Sequence, residues 1–330
     1  MRTVADHAIM RRRILLGSGA AFALARHAAA QAPYPSRPVR LVVANPAGGS
    51  GDAITRIIGE RLAAELGTQV IVENRPGGAT TIGTNFVARS EPDGYTLLSL
   101  TGSGVVQTVL RRRLPYDLMR DFAPIIGVGS IPLVLVVAAG SDISSLDHLK
   151  AAARSANGIT YGSGGAGTIG HISAVRLLED IGGSGTHVPF RGNAEVLQAM
   201  AGGHVQFMFA SVAEVPPLVA AGLLRALAVT SSAREASLPD VPTTREIGLA
   251  GFEPTTWYGF LAPARTPPQI IARLHDAFSR SLSDPTVQEK LRGLSFTVEL
   301  RRPDALARYM REEAELWGKV VRDNNLSEAD

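Results

Sequence analysis

Val39 to Leu66, VRLVVANPAGGSGDAITRIIGERLAAEL, reads as a buried strand, a glycine-rich loop and an amphipathic helix. Val39, Leu41, Val42 and Val43 form a short apolar run rich in β-branched residues, the pattern of a strand covered on both faces. Asn45 to Gly51 puts one Pro and three Gly into seven residues, which is loop chemistry. Asp52 is a candidate N-cap. Ile54, Ile57, Ile58, Leu62 and Leu66 follow at helical spacing, and Gly67 stands where a helix would end. The loop therefore delivers backbone N–H groups to a helix N-terminus, a natural anion site. The same turn also opens α/β units that bind nothing.

Beyond this stretch the strand-loop-helix pattern repeats. Val70–Val72 is a short strand, Asn74–Gly78 a turn, Thr81–Arg89 a helix and Tyr95–Leu100 a strand, which makes the start of an open, largely parallel sheet. Thr101-Gly102-Ser103-Gly104 reads as a second polar, glycine-rich loop at a strand carboxyl end, where such sheets collect ligands. Ile131–Ala138 is another apolar run, and Ser144 or Ser145 caps a helix from Leu146. Gly158–Tyr161, His187–Phe190, His204–Phe209 and Leu224–Thr230 read as strands. Between the first two lie the glycine-rich loop 162–170 and a helix over His171–Ile181. TTWYGFLA, Thr255 to Ala262, is an apolar and aromatic strand. A long helix carrying Ile270, Leu274, Phe278 and Leu282, a short one opened by Asp284-Pro285, a strand at Phe296–Leu300 and a helix over Pro303–Arg322 complete the chain.

The first thirty residues have the form of an export signal. Arg11, Arg12 and Arg13 precede a short, weakly apolar run from Ile14 to Ala25, and Ala28–Ala32 offers small-residue cleavage patterns. Arg-Arg-x-Ile-Leu with Arg26 before the cleavage zone resembles a twin-arginine signal; a Sec signal and a disordered cytosolic tail are the alternatives. Residues 1–30 carry five Arg and one Asp, so the rest of the chain has a net charge of −1 against +3 for the whole. The mature protein thus offers no net basic field for nucleic acid or anionic membrane. There is no cysteine, which excludes a lipid-anchored cysteine, a disulfide framework and thiol chemistry. No later segment is long and apolar enough to insert in a membrane.

Chemistry-bearing motifs are mostly absent. No zinc spacing, phosphate-loop Gly-Lys-Ser/Thr or Gly-x-Ser-x-Gly elbow occurs, so no catalytic residue, metal ligand or cofactor is assigned. Gly162-Ser163-Gly164-Gly165-Ala166-Gly167 matches Gly-x-Gly-x-x-Gly, but the strand before it is short and the next one ends on Phe190-Arg191 rather than on an acid. These glycines serve equally well as a second carboxylate cradle.

In order and spacing, PSRPVRLVVANPAGGSGD, VENRPGG, PDGYTLL, LPYDLMRDFAPI, TYGSGGAGTIGH, HVPFRG, LRALAVTS, LPDVPTTREIG and TTWYGFLAPARTP make the chain, from about Tyr34 to Asn325, resemble the tripartite tricarboxylate transporter substrate-binding family, the Bug receptors. The resemblance implies an α/β fold like that of type II periplasmic binding proteins. Two α/β domains would be joined by two crossing strands, near 131–138 and 256–262, with the ligand in the cleft between them. Domain 1 would be residues 33–132 plus 262–330 and domain 2 residues 133–261. It implies a monomeric, non-enzymatic periplasmic receptor that hands a small organic acid to membrane permease subunits. An extracytoplasmic enzyme acting on carboxylates and a sensory receptor are the rival readings.

Carried over by motif, Ala47, Gly48, Gly49, Ser50 and Asp52 would cradle a carboxylate, facing Ser163, Gly164, Gly167, Thr168 and His171. Thr101, Gly102, Ser103, Arg191 and Gly192 would close the sides, with Ala210 and Ser211 after the strand that reads Gln206-Phe207-Met208-Phe209. Asp52 is expected to hold its loop rather than to touch ligand. Many family members carry an acid or amide where this chain has Ala210-Ser211, which points to a ligand without an amine.

Overall fold

The structure, a computed structural model, describes residues 34–326. The export signal read over residues 1–30 lies outside them. In chain order, β1 (Val39–Val43), α1 (Ser50–Leu66), β2 (Val70–Asn74), α2 (Thr81–Ala88) and β3 (Thr96–Thr101) lead into α3 (Gly102–Leu110) and the long strand β4 (Phe122–Ala138). The middle of the chain supplies α4 (Leu146–Ala153), β5 (Ile159–Ser163), α5 (Ile169–Asp180), β6 (Gly185–Pro189), α6 (Asn193–Ala201), β7 (Phe207–Ser211), α7 (Pro216–Ala220) and β8 (Leu224–Val229). It closes with β9 (Thr255–Pro263), α8 (Pro268–Ser283), α9 (Pro285–Arg292), β10 (Thr297–Arg301) and α10 (Pro303–Asp323). This is a mixed α/β fold.

The strands run in the order β2-β1-β3-β9-β4-β7-β5-β6, with β8 and β10 also paired to β4. β1 lies parallel to β2 and β3, with Val42 opposite Glu73 and Leu98. That central place is why Val39, Leu41, Val42 and Val43 are all buried. β9 runs antiparallel into the sheet between β3 and β4. β4 changes partners along its length. From Phe122 to Pro132 it pairs with β9; from Leu133 to Ala138 it pairs with β7 on one side and β8 on the other. α1 ends as its sequence requires. Gly67 adopts the left-handed conformation (φ 68°), and the N–H groups of Gly67 and Thr68 close the last turn on Ala64 and Ala63.

Two elements depart from the sequence expectation. The run 101–104 is not a loop: α3 starts at Gly102, and its glycines serve close packing. A Cβ on Gly102 would stand 2.9 Å from Trp257 Nε1, and one on Gly104 would overlap Leu100. Tertiary contact thus outweighs the low helix propensity of glycine. β4 is about twice the length of the apolar run at 131–138, because Pro124, Gly127 and Gly129 conceal its first half. The register slips at those residues, between Pro124 and Ile126 and again between Gly127 and Gly129. Among the described residues no helix is long and apolar enough to cross a membrane.

Candidate functional site

A cavity of about 540 Å³ opens at the carboxyl ends of β1, β3 and β5. Its size suits a small molecule. Four helices present their first residues to it. α1 contributes Gly49, Ser50 and Gly51; α3 contributes Thr101 and Ser103; α5 contributes Thr168, Ile169 and Gly170; α6 contributes Gly192, Asn193 and Ala194. The first-turn N–H groups of a helix lack intrahelical partners and carry a partial positive charge. Four such ends in one wall create an anion-attracting surface without a cationic side chain. No Lys, Arg or His lines the cavity among the described residues.

The first loop is braced from behind. α1 begins at Ser50 with Gly49 as its N-cap, so Asp52 sits inside the first turn rather than capping it. Its carboxylate reaches back to accept the Gly48 N–H at 3.0 Å and pairs with Arg56 at 2.9 Å. Burial alone would raise the pKa of Asp52; the bonds from Arg56, Gly48 and Asn74 prevail and hold it below the usual carboxylate value. Ser50 Oγ lies 3.2 Å from the Tyr258 hydroxyl on β9.

The second loop has its own brace, built from the histidines. Ser163 is fully buried, with Oγ 2.7 Å from His187 Nε2 and 2.9 Å from the Gly165 carbonyl. His171 Nδ1 accepts the Gly167 N–H at 3.0 Å. The two imidazoles lie 4.0 Å apart, centroid to centroid, and both stack on Tyr161. Burial, and then the neighbouring His187, pushes His171 down to about 3; burial pushes His187 down to about 4. Both rings are therefore neutral at neutral pH and act as packing and loop-fixing groups. Ser103 Oγ accepts the Ile169 N–H at 3.2 Å, and Gln107 donates to the Ala166 carbonyl at 2.9 Å, which ties α3 to the second loop.

Of the residues singled out from the sequence, Ala47, Gly48, Gly49, Ser50, Thr101, Ser103, Gly164, Thr168, Gly192 and Ser211 line the cavity. Asp52, Ser163, Gly167 and His171 lie behind its wall in the bracing just described. Gly102 packs on Trp257. Arg191 is exposed, its backbone N–H bonded to Glu195. Ala210 is buried in the sheet opposite Val134. The cavity adds residues that sequence reasoning missed, chiefly Asn193, Tyr258 and Glu214. Glu214 removes the premise of the inference drawn from Ala210-Ser211. An acid does stand at the cleft, three residues beyond Ser211, in a short 3-10 turn over Val212–Glu214 that the motif-poor sequence ASVAEVPP does not announce. Thr101 Oγ1 and Ser211 Oγ are buried in the wall without a hydrogen-bond partner.

The family model for the tripartite tricarboxylate transporter family receptor matches residues 54–326. The UPF0065 protein in the tcbD–tcbE intergenic region of Pseudomonas sp. (strain P51) is 36% identical over 322 residues, 97% of this chain and 96% of its own. The periplasmic binding protein BugD superposes with a TM-score of 0.82 at 30% identity, covering 90% of this chain and 100% of its own. MatC from Rhodopseudomonas palustris, with bound malate, superposes with a TM-score of 0.81 at 31% identity, covering 87% and 100%.

Proposed function

The chain belongs to the tripartite tricarboxylate transporter receptor family, and from that premise we propose that it is a periplasmic receptor for a small organic carboxylate, which it delivers to a tripartite tricarboxylate-type permease. The observation that carries the reading is the convergence of four helix N-termini on one cavity with two unpartnered hydroxyls in its wall. A buried polar group without a partner costs stability, and natural proteins keep few of them. Thr101 and Ser211 make sense as groups that find their partner in a ligand. Hydrogen bonds to a charged group contribute roughly 1.5–3 kcal/mol each. Three or four of them, less desolvation and ordering costs, reach the roughly 8 kcal/mol of a micromolar complex. MatC, 31% identical, is a relative with a bound small organic acid, malate, which supports an organic acid as the ligand class.

The partner change of β4 at Pro132–Leu133 supports a division into two lobes, residues 33–132 plus 262–330 and residues 133–261, that close on the ligand about β4 and β9. The mature chain would work as a monomer after export, by the twin-arginine route in our reading. Catalysis is not part of the proposal. Among the described residues two Ser–His pairs lie within hydrogen-bond distance: Ser144 to His148 sits at an exposed helix start outside the cavity, and Ser163 to His187 joins a fully buried hydroxyl to a packed imidazole.

A thermal-shift screen tests the reading. The protein is unfolded and refolded to strip trapped ligand, then titrated with mono-, di- and tricarboxylates and with analogues in which every carboxylate is an amide. A saturable shift with a carboxylate and none with the fully amidated analogue is expected; at a hundredfold excess over Kd the stabilisation is about 2.7 kcal/mol. No shift with any carboxylate, or an equal shift with the amides, sinks the proposal.

A further inference from the structure

Glu214 is the one charged side chain in the cavity wall among the described residues. Its carboxylate joins two of the four helix ends. Oε1 accepts the Ser50 N–H at the start of α1 at 3.2 Å, and Oε2 accepts from Asn193 Nδ2 at the start of α6 at 2.7 Å. The protein thus supplies its own anion to one half of the cradle. The unpartnered Thr101 Oγ1, at the start of α3, and Ser211 Oγ, at the end of β7, stand in the wall with no such anion.

Charge arithmetic limits what can enter. Each helix N-terminus is equivalent to roughly +0.5 of an elementary charge. Glu214 sets a full negative charge against the two ends it joins, so that half of the cradle has no surplus for a second anion, whereas the ends of α3 and α5 carry no acid in their first turns and remain free for one. Hydrogen bonding says the same. An ionised carboxylate accepts and cannot donate, so a second ligand carboxylate brought near Glu214 meets only repulsion. A nitrogen donor meets a free lone pair. Among the described residues no Lys or Arg lines the cavity to offset a second acid.

We propose that Glu214 sets the ligand class. It selects a carboxylate that carries a nitrogen donor, an ammonium or a primary amide, at its far end, and it rejects the dicarboxylate of the same length. The ligand carboxylate sits towards Thr101 and Ser211, and its nitrogen faces Glu214. This rests on the receptor reading above and narrows it.

The test is calorimetric titration of the refolded protein and of Glu214→Gln with three matched sets. These are succinate, glutarate and adipate, their monoamides, and 4-aminobutyrate, 5-aminopentanoate and 6-aminohexanoate. In the unsubstituted protein the best nitrogen-bearing ligand is expected to bind at least tenfold more tightly than its matching diacid. Glu214→Gln should bring the two within about threefold, weakening the nitrogen ligand and strengthening the diacid. Glu214→Ala, which leaves no side chain to rearrange, should strengthen the diacid as well. A diacid that binds the unsubstituted protein best, or a ranking that neither substitution changes, overturns the proposal and leaves the receptor reading standing. Binding of none of the nine compounds to any of the three proteins overturns this proposal, and the carboxylate screen above then decides the receptor reading.

Discussion

Thr101→Val is expected to make the protein more stable and a worse receptor at once. Thr101 closes β3 and is only 6% exposed, and its Oγ1 is buried with no partner. A buried unsatisfied hydroxyl costs about 1–3 kcal/mol, and a methyl group of nearly the same shape does not carry that cost. Valine also suits the end of a buried strand. Ligand-free Thr101→Val should therefore gain about 1 kcal/mol, seen as a higher urea midpoint at unchanged slope. Binding should move the other way. Losing a hydrogen bond to a charged ligand costs about 1.5–3 kcal/mol, roughly a 10- to 150-fold rise in Kd. The pair of measurements is urea unfolding of the stripped protein and calorimetry with the carboxylate found by the screen. A variant that loses stability while keeping its affinity would show that the hydroxyl serves the fold, and the reasoning from unpartnered groups would fail. Ser211→Ala should repeat the same opposed signs.

Other expectations follow from the braces around the cavity. Gly102→Ala would press a Cβ to 2.9 Å from Trp257 Nε1 and 3.1 Å from Ile169, so it should cost about 1–3 kcal/mol in urea unfolding; a neutral result would show that α3 can shift freely. Glu313, which accepts from the indoles of both Trp257 and Trp317 at 3.0 Å, is raised above its ordinary value by burial, so the folded state holds its proton in a pH range where the unfolded state has lost it. Its contribution to stability therefore falls as pH rises from the ordinary Glu value of 4.5 through the raised one. Set against Glu313→Gln, the native protein should be relatively more stable at pH 4.5 than at pH 7.5, and equal differences at both would refute the burial argument. His171 and His187 are depressed to about 3 and 4, so the unfolded chain binds protons first. Stability should fall as pH drops below 6.5, less steeply in His187→Gln, and the ring resonances should stay in the neutral form at pH 5.

The parts of the site written in local pattern are legible in the sequence itself. β1, the first glycine loop and α1 follow from an apolar run, a Pro-Gly cluster and 3.6-residue periodicity, all within one short stretch. What the sequence hides depends on distant residues. α3 looks like a loop because Gly102 and Gly104 are helix-poor, and only Trp257 and Leu100 explain them. The first half of β4 looks broken because its prolines and glycines sit at slips whose partner, β9, lies more than a hundred residues away. His171 stands in a glycine-rich motif as if to meet an anion, yet its burial beside His187 makes it an acceptor for its own loop. Glu214 carries no motif at all. Its significance appears only when the turn after β7 is set against the start of α1.

The place of β9 bears on how such a chain is made. The strand at Thr255–Pro263 lies between β3 and β4, and α10 adds Trp317, Val320 and Val321 to the core cluster built by α4, β5 and α5. A nascent chain that has not reached residue 255 has no strand to separate β3 from β4. One that has not reached residue 321 has an open core in its middle block. Synthesis must come close to its end before either core is complete. A nonsense codon late in the reading frame would then yield a product destined for proteolysis instead of a shortened, working protein.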